Sequence, residues 1–126
     1  MTLVLDAGAF IAVERSDRGT AALIKSELLA GRSPLTHGGI VGQVWRDARG
    51  RQAVLAQLLA GVDIQPIDDD LGRRAGVLLG RARQSDVIDA ALVLLASDGD
   101  AILTSDPRDL WPLVEAAGLD VDLVEV

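Results

Sequence analysis

The chain reads as a single α/β domain built on a parallel sheet with helices on both faces. Three observations predict this. Short, near-continuous apolar runs alternate with helical patterns along the whole length, as in sheets buried on both sides. The 126 residues suit one core, and 49% of them are apolar, almost all aliphatic. No repeat, low-complexity tract or linker divides the chain, so residues 1–126 form one domain of about five strands.

The elements follow in order. Leu3 to Leu5 reads as a buried strand, and Asp6-Ala7-Gly8-Ala9 as the turn into a helix that carries Phe10, Ile11 and Val13 and ends near Asp17-Arg18-Gly19. A second helix, about Thr20 to Ala30, has Ala22, Leu23, Leu28 and Leu29 at helical spacing, with Gly31 as its stop. Ser33 to Thr36 reads as a brief strand, where Pro34 is tolerable only near a start or edge. After Gly38-Gly39 a helical pattern runs from Ile40 or Val41 to Ala48. Gly50 interrupts it, and a further helix spans Gln52 to Ala60. Val62 to Ile67 is strand-like. Asp68-Asp69-Asp70 opens a helix that reaches Arg83, three acids at the positive end of its dipole. Ser85 caps the next, which runs to Ala96 or Ser97 and holds Asp86 in its first position. Ala101 to Thr104 is a buried strand. Asp106-Pro107 begins the last helix, with proline at the first helical position and Gly118 as the stop. Val121 to Val126 is the final strand.

Composition excludes several chemistries. With no cysteine there is no disulfide, thiolate metal site or cysteine nucleophile. Met1-Thr2-Leu3 gives no basic leader before an apolar run, and the longest apolar stretch, Ala90 to Ala96, is too short to cross a bilayer. A cytoplasmic protein without membrane partners is the expectation. The net charge of −7 argues against a nucleic-acid partner until its distribution is considered. Residues 85–126 balance at −9, residues 43–84 at +2 and residues 1–42 at zero. The cations are arginines apart from Lys25, and arginine favours bidentate contacts with phosphate or carboxylate. Coding bias and solvated helix faces explain the same residues equally well.

Four short stretches put an acid, or an amide in place of one, just past a strand or near a helix start. They are Leu3-Val4-Leu5-Asp6, Gly42-Gln43-Val44, Ser85-Asp86-Val87-Ile88-Asp89 and Ile102-Leu103-Thr104-Ser105-Asp106. Each aspartate taken alone is readily a helix cap or a first-turn acid. Topology favours a joint site. Asp6 and Asp106 follow strands of one parallel sheet, so they share its carboxyl edge, where open α/β proteins bind ligands. Asp86 and Asp89, three apart, share a helix face. The gathered carboxylates repel one another unless a proton or a hard cation compensates, which suits magnesium, with manganese as an alternative. Phosphodiester hydrolysis is the chemistry such a site supports. His37, the only histidine, stands beside Gly38-Gly39 with no obvious partner and is expected to be structural or at the surface.

These residues carry a family likeness. Leu3-Val4-Leu5-Asp6 with Ala9-Phe10-Ile11, then Asp86-Val87-Ile88-Asp89-Ala90, then Ile102-Leu103-Thr104-Ser105-Asp106 resemble a PIN domain, and in particular the VapC type of toxin from bacterial toxin–antitoxin pairs. The resemblance implies a three-layer PIN-like fold, a magnesium-dependent endoribonuclease acting on cellular RNA, a cognate VapB-like antitoxin that covers the site, and a homodimer. It maps the acidic metal positions onto Asp6, Asp89 and Asp106, with Asp86 close by as a further catalytic candidate. Thr104 and Ser105 match polar residues beside the last acid, where they would bind that carboxylate or a metal-bound water, and with Gln43 and Arg46 they are the expected substrate contacts. One departure concerns Gln43, which stands where the family usually has glutamate. Its carbonyl oxygen still ligates, but it brings no charge. A catalytically impaired module that binds RNA or a partner is therefore the alternative reading.

Arg46, Arg49 and Arg51, with Arg73, Arg74, Arg81 and Arg83, are candidates to guide an RNA backbone toward the acids, Arg46 foremost. An acidic antitoxin tail is the rival occupant. Trp45 and Trp111 suit a dimer or partner groove, with core packing expected for at least one. A receiver-like signalling domain also has acids at a sheet edge, but it needs a lysine after a late strand. Lys25 lies in an early helix.

Overall fold

A computed structural model describes residues 1–46 and 50–126. The elements are β1 (Leu3–Leu5), α1 (Ala7–Glu14), α2 (Arg18–Leu29), β2 (Leu35–His37), α3 (Gly38–Val44), α4 (Ala53–Ala60), β3 (Asp63–Gln65), α5 (Asp69–Ala82), α6 (Val87–Leu95), β4 (Ala101–Thr104), α7 (Pro107–Ala117) and β5 (Asp122–Glu125). The five strands form one all-parallel sheet in the order β3-β2-β1-β4-β5. The fold is therefore α/β with a parallel sheet flanked by helices, as the alternation of apolar runs predicts. The receiver-type order 2-1-3-4-5 is not the one adopted, which removes that reading on topology as well as on the missing lysine.

The direction of the crossovers sorts the helices. From β1 the chain moves to β2 and then β3 on one side of the sheet; from β3 it crosses to β4 and then β5 on the other. Parallel crossovers are right-handed, so opposite directions put their helices on opposite faces. The packing agrees: α1 rests on α2, α3 and α4, whereas α5, α6 and α7 rest on one another. The two directions diverge between β1 and β4, which pair with Leu3 opposite Ala101, Val4 opposite Ile102 and Leu5 opposite Leu103. A crevice opens beyond the carboxyl ends of strands at such a switch point.

Burial follows position. Every residue of β1 and β4 is buried, whereas the edge strands β3 and β5 are largely open. Around the centre, Phe10, Ile24, Ile40, Leu55, Leu92, Leu110 and Leu113 complete an aliphatic core with one aromatic ring.

Several boundaries differ from expectation for local reasons. α6 is capped by Asp86, whose Oδ1 accepts from the N–H groups of Ile88 (2.9 Å) and Asp89 (3.1 Å); Ser85 lies outside the helix. β2 starts after Pro34, which has no N–H to donate, and runs on through His37. α3 ends at Val44 rather than Ala48 because Trp45 is extended; residues 47–49 lie outside the described residues, and so does the expectation for Arg49. Neither tryptophan enters the core: Trp45 is 36% exposed and Trp111 54%. Among the described residues no helix is long and apolar enough to cross a membrane.

Candidate metal centre

The switch point delivers the first acid. Asp6 leaves β1 held by its own N–H to the Leu103 carbonyl at 3.0 Å, a continuation of the β1–β4 ladder. Its two carboxylate oxygens are both used. Oδ1 accepts from the Ala7 N–H (2.8 Å), capping α1, and Oδ2 accepts from the buried Thr104 hydroxyl (2.7 Å). The Thr104 oxygen in turn accepts from the Asp106 N–H at 3.0 Å. One buried hydroxyl at the end of β4 therefore fixes both the first acid and the backbone of the last. Thr104, expected as a substrate contact, is a positioning group instead, because it is fully enclosed.

Gly8 brings these two segments close. A Cβ on Gly8 would lie 2.6 Å from Ser105 Oγ and 2.8 Å from its backbone nitrogen, so only glycine lets α1 meet the β4–α7 turn this tightly. Asp106 sits at the N-cap position of α7, yet its side chain caps nothing. Its contact with the Ser105 hydroxyl is 3.5 Å, at the limit of a hydrogen bond. The capping role therefore holds for Asp6 and Asp86 and fails for Asp106, whose carboxylate is left free at the crevice.

Asp6, Asp86, Asp89 and Asp106 line one cavity of about 210 Å³, together with Gln43, Ser105, Gly8 and a further acid, Asp109. Six of the eight residues expected at the site thus meet: the four aspartates, Gln43 and Ser105. The other two, Thr104 and Arg46, do not line it. The Arg46 guanidinium donates to the carbonyls of Gly42 (2.9 Å) and Trp45 (2.7 Å) at the end of α3. Asp109 was not foreseen. The signal was present, since Asp109 follows Asp106 by three residues, the same one-face spacing as Asp86 and Asp89.

The electrostatics follow from this crowding. Burial first, then the carboxylates of Asp86, Asp6, Asp109 and Asp106, push the Asp89 carboxyl up from 3.8 to about 6. Among the described residues no cationic side chain lines the cavity. The donor set is all oxygen and mostly anionic, which fits a hard dication such as magnesium or manganese. Among the described residues no three acids or histidines stand as a ready-made ligand cluster, so ligation requires the free carboxylates to turn inward. Among the described residues the Asp106 and Asp89 carboxylates accept no hydrogen bond apart from the marginal Ser105 contact.

His37 departs from expectation. It is fully buried and partnered on both ring nitrogens, to Gly39 and Ile40 on one side and to Ile88 on the other. The arginines of α5 line a different cavity, formed by Arg73, Arg74, Val77, Leu78, Arg81, Leu94 and Ala117. Leu94 and Ala117 belong to the last turns of α6 and α7, whereas the acids stand on their first turns. Arg73 and Arg74 are also paired along their own helix with Asp69 and Asp70. No protein-family model and no curated protein sequence matches this chain.

Proposed function

We propose that this chain is a dication-dependent endoribonuclease whose site is the acidic cavity at the β1/β4 switch point. The single observation that carries the reading is the meeting, in that one cavity, of acids contributed from three distant parts of the chain. Asp6, Asp89 and Asp106 would hold the ion, Gln43 would add a neutral carbonyl oxygen, and Asp86 and Asp109 would complete the negative wall. A bound magnesium or manganese ion supplies Lewis-acid polarisation of a phosphoryl oxygen and acidifies water.

The chain's own residues do the rest. Thr104 keeps Asp6 and Asp106 in fixed relation. In the metal-free site Asp89 holds its proton more tightly than an ordinary aspartate, with its carboxyl near 6, and binding of the ion would displace that proton. Asp106 is free to reorient because it caps no helix. A groove sharing Gly8 and Ser105 with the acidic cavity is lined by Arg15 and Asp17, and Arg15, which makes no ion pair among the described residues, would supply a cation for a neighbouring phosphate. The α5 arginines, beside the far ends of α6 and α7, suit a second contact with a long RNA or with an acidic protein segment. The resemblance to VapC toxins supports RNA as the substrate, a VapB-like antitoxin and a homodimer as partners, and a cytoplasmic location.

A catalytically silent RNA- or partner-binding module is the second reading, and Gln43 favours it because it leaves the cavity one carboxylate short of the family pattern. Incubation of total RNA with the protein and magnesium separates the two. Cleavage by the native protein, lost in Asp106→Asn, supports the nuclease. RNA retention without cleavage by either protein supports the silent module.

A further inference from the structure

Three polar side chains are fully buried at the carboxyl edge of the sheet: Thr36 and His37 at the end of β2, and Thr104 at the end of β4. A buried polar group costs free energy unless it is paired, and each of these is paired toward a site-bearing segment. Thr104 holds Asp6 and Asp106. Thr36 donates its hydroxyl to the Leu5 carbonyl at 2.8 Å, next to Asp6. His37 reaches the remaining arm. Its Nδ1 lies 3.0 Å from the Gly39 N–H and 3.3 Å from the Ile40 N–H, so it accepts from both. That places the ring proton on Nε2, which donates to the Ile88 carbonyl at 2.9 Å. Ile88 lies between the cap Asp86 and the half-buried Asp89. The same imidazole caps α3, the helix that carries Gln43 into the cavity.

Packing reports the same juncture independently. A Cβ on Gly39 would sit 2.5 Å from Ile88 Cδ1 and 2.9 Å from His37 Cε1. The first turns of α3 and α6 therefore meet around the ring, and a methyl at position 39 must displace the end of the Ile88 side chain and the imidazole.

We propose that His37 is a positioning residue of the acidic site: through Nε2 it tethers the first turn of α6, and with it Asp86 and Asp89, to the sheet edge and to the helix bearing Gln43. The inference rests on the reading of the cavity as a dication site, and it adds to the ligands a group that touches neither ion nor substrate. Outer partners of this kind set ligand orientation.

Two substitutions divide the ring's functions. Glutamine places an amide N–H near the Nε2 position and keeps the tether while losing the cap. Asparagine places its oxygen near Nδ1 and keeps the cap while losing the tether. Two readouts are taken on the folded proteins: Mn²⁺ affinity by electron paramagnetic resonance, and amide hydrogen exchange across residues 88–92 without metal. His37→Asn is expected to weaken Mn²⁺ binding about tenfold and to speed exchange to a similar degree, whereas His37→Gln stays within about twofold in both and shows its loss in Tm. Should His37→Asn not fold, Gly39→Ala tests the same juncture and is expected to follow the asparagine pattern. Native-like behaviour of the tether-breaking variant in both readouts, or equal loss in His37→Gln, overturns the tether. Absent Mn²⁺ binding by the native protein with the exchange pattern intact removes the dication reading and leaves the tether standing.

Discussion

Asp89 is the residue whose environment says most about the site. Burial and the surrounding carboxylates raise its carboxyl from 3.8 to about 6. A folded value above the unfolded one means that stability is greatest below the unfolded value and falls as pH rises through the folded one. Neutral pH therefore ionises Asp89 at a cost to the fold. Asp89→Asn is expected to stabilise the metal-free protein at pH 7 by about 1–2 kcal/mol, allowing for partial solvent access, with the gain vanishing toward acid pH. Thermal denaturation across pH measures this, and equal Tm values at pH 7 contradict it. The same variant is expected to lose cleavage by more than about tenfold, so stability and activity move in opposite directions. Thr104 behaves differently. Thr104→Val keeps the shape but leaves the Asp6 carboxylate and the Asp106 N–H without their partner, at about 1–3 kcal/mol of stability. Thr104→Ser restores both bonds, and indistinguishable Tm values for the valine and serine variants would remove the positioning role.

Elements carry the next set of constraints. The end of α1 nearest the site and the β4–α7 turn approach so closely at Gly8 that Gly8→Ala must displace Ser105, including its backbone nitrogen. Overpacking of this kind costs about 1–3 kcal/mol, and the shift of the Asp106 segment should reduce cleavage as well. A denaturant series with a parallel RNA assay tests both, and an unchanged rate places Ser105 outside the site's critical geometry. α3 carries Gln43 to the cavity without charge. Gln43→Glu is expected to tighten magnesium binding and to lower the metal-free Tm, since a further carboxylate adds attraction for the ion and repulsion without it. Calorimetry showing no gain in affinity would place Gln43 away from the ion.

At this scale the sequence was legible where signals were local. β1 and β4 announce themselves as apolar runs, and Asp6 and Asp106 follow them directly. Legibility failed where the deciding contact was distant or helical. The His37 tether reaches across 51 residues and has no local signature. Asp109 stands at helical spacing from Asp106, but a further acid in a helix's first turn is an ordinary feature and does not by itself mark a site. Trp45 and Trp111 show the limit of residue type alone, since two large aromatic side chains remain at the surface around an aliphatic core.

The whole molecule combines a net charge of −7 with an acid-lined crevice at the switch point. The C-terminal third carries most of the negative charge, and β4 and α7 bring two of its acids beside Asp6. Parallel connectivity places chain segments a hundred residues apart at one edge, and the reversal of strand order makes that edge concave. The arginines of α5 lie beside the other ends of α6 and α7, where Arg73 and Arg74 pair with Asp69 and Asp70, so that end carries both signs while the cavity end is lined by acids. The most direct test of the acidic crevice is the anomalous diffraction of crystals soaked in manganese. The account predicts a peak inside the cavity within ligand distance of Asp6, Asp89 and Asp106. A peak on an unrelated patch, or an empty cavity at saturating manganese with the native fold intact, would contradict it.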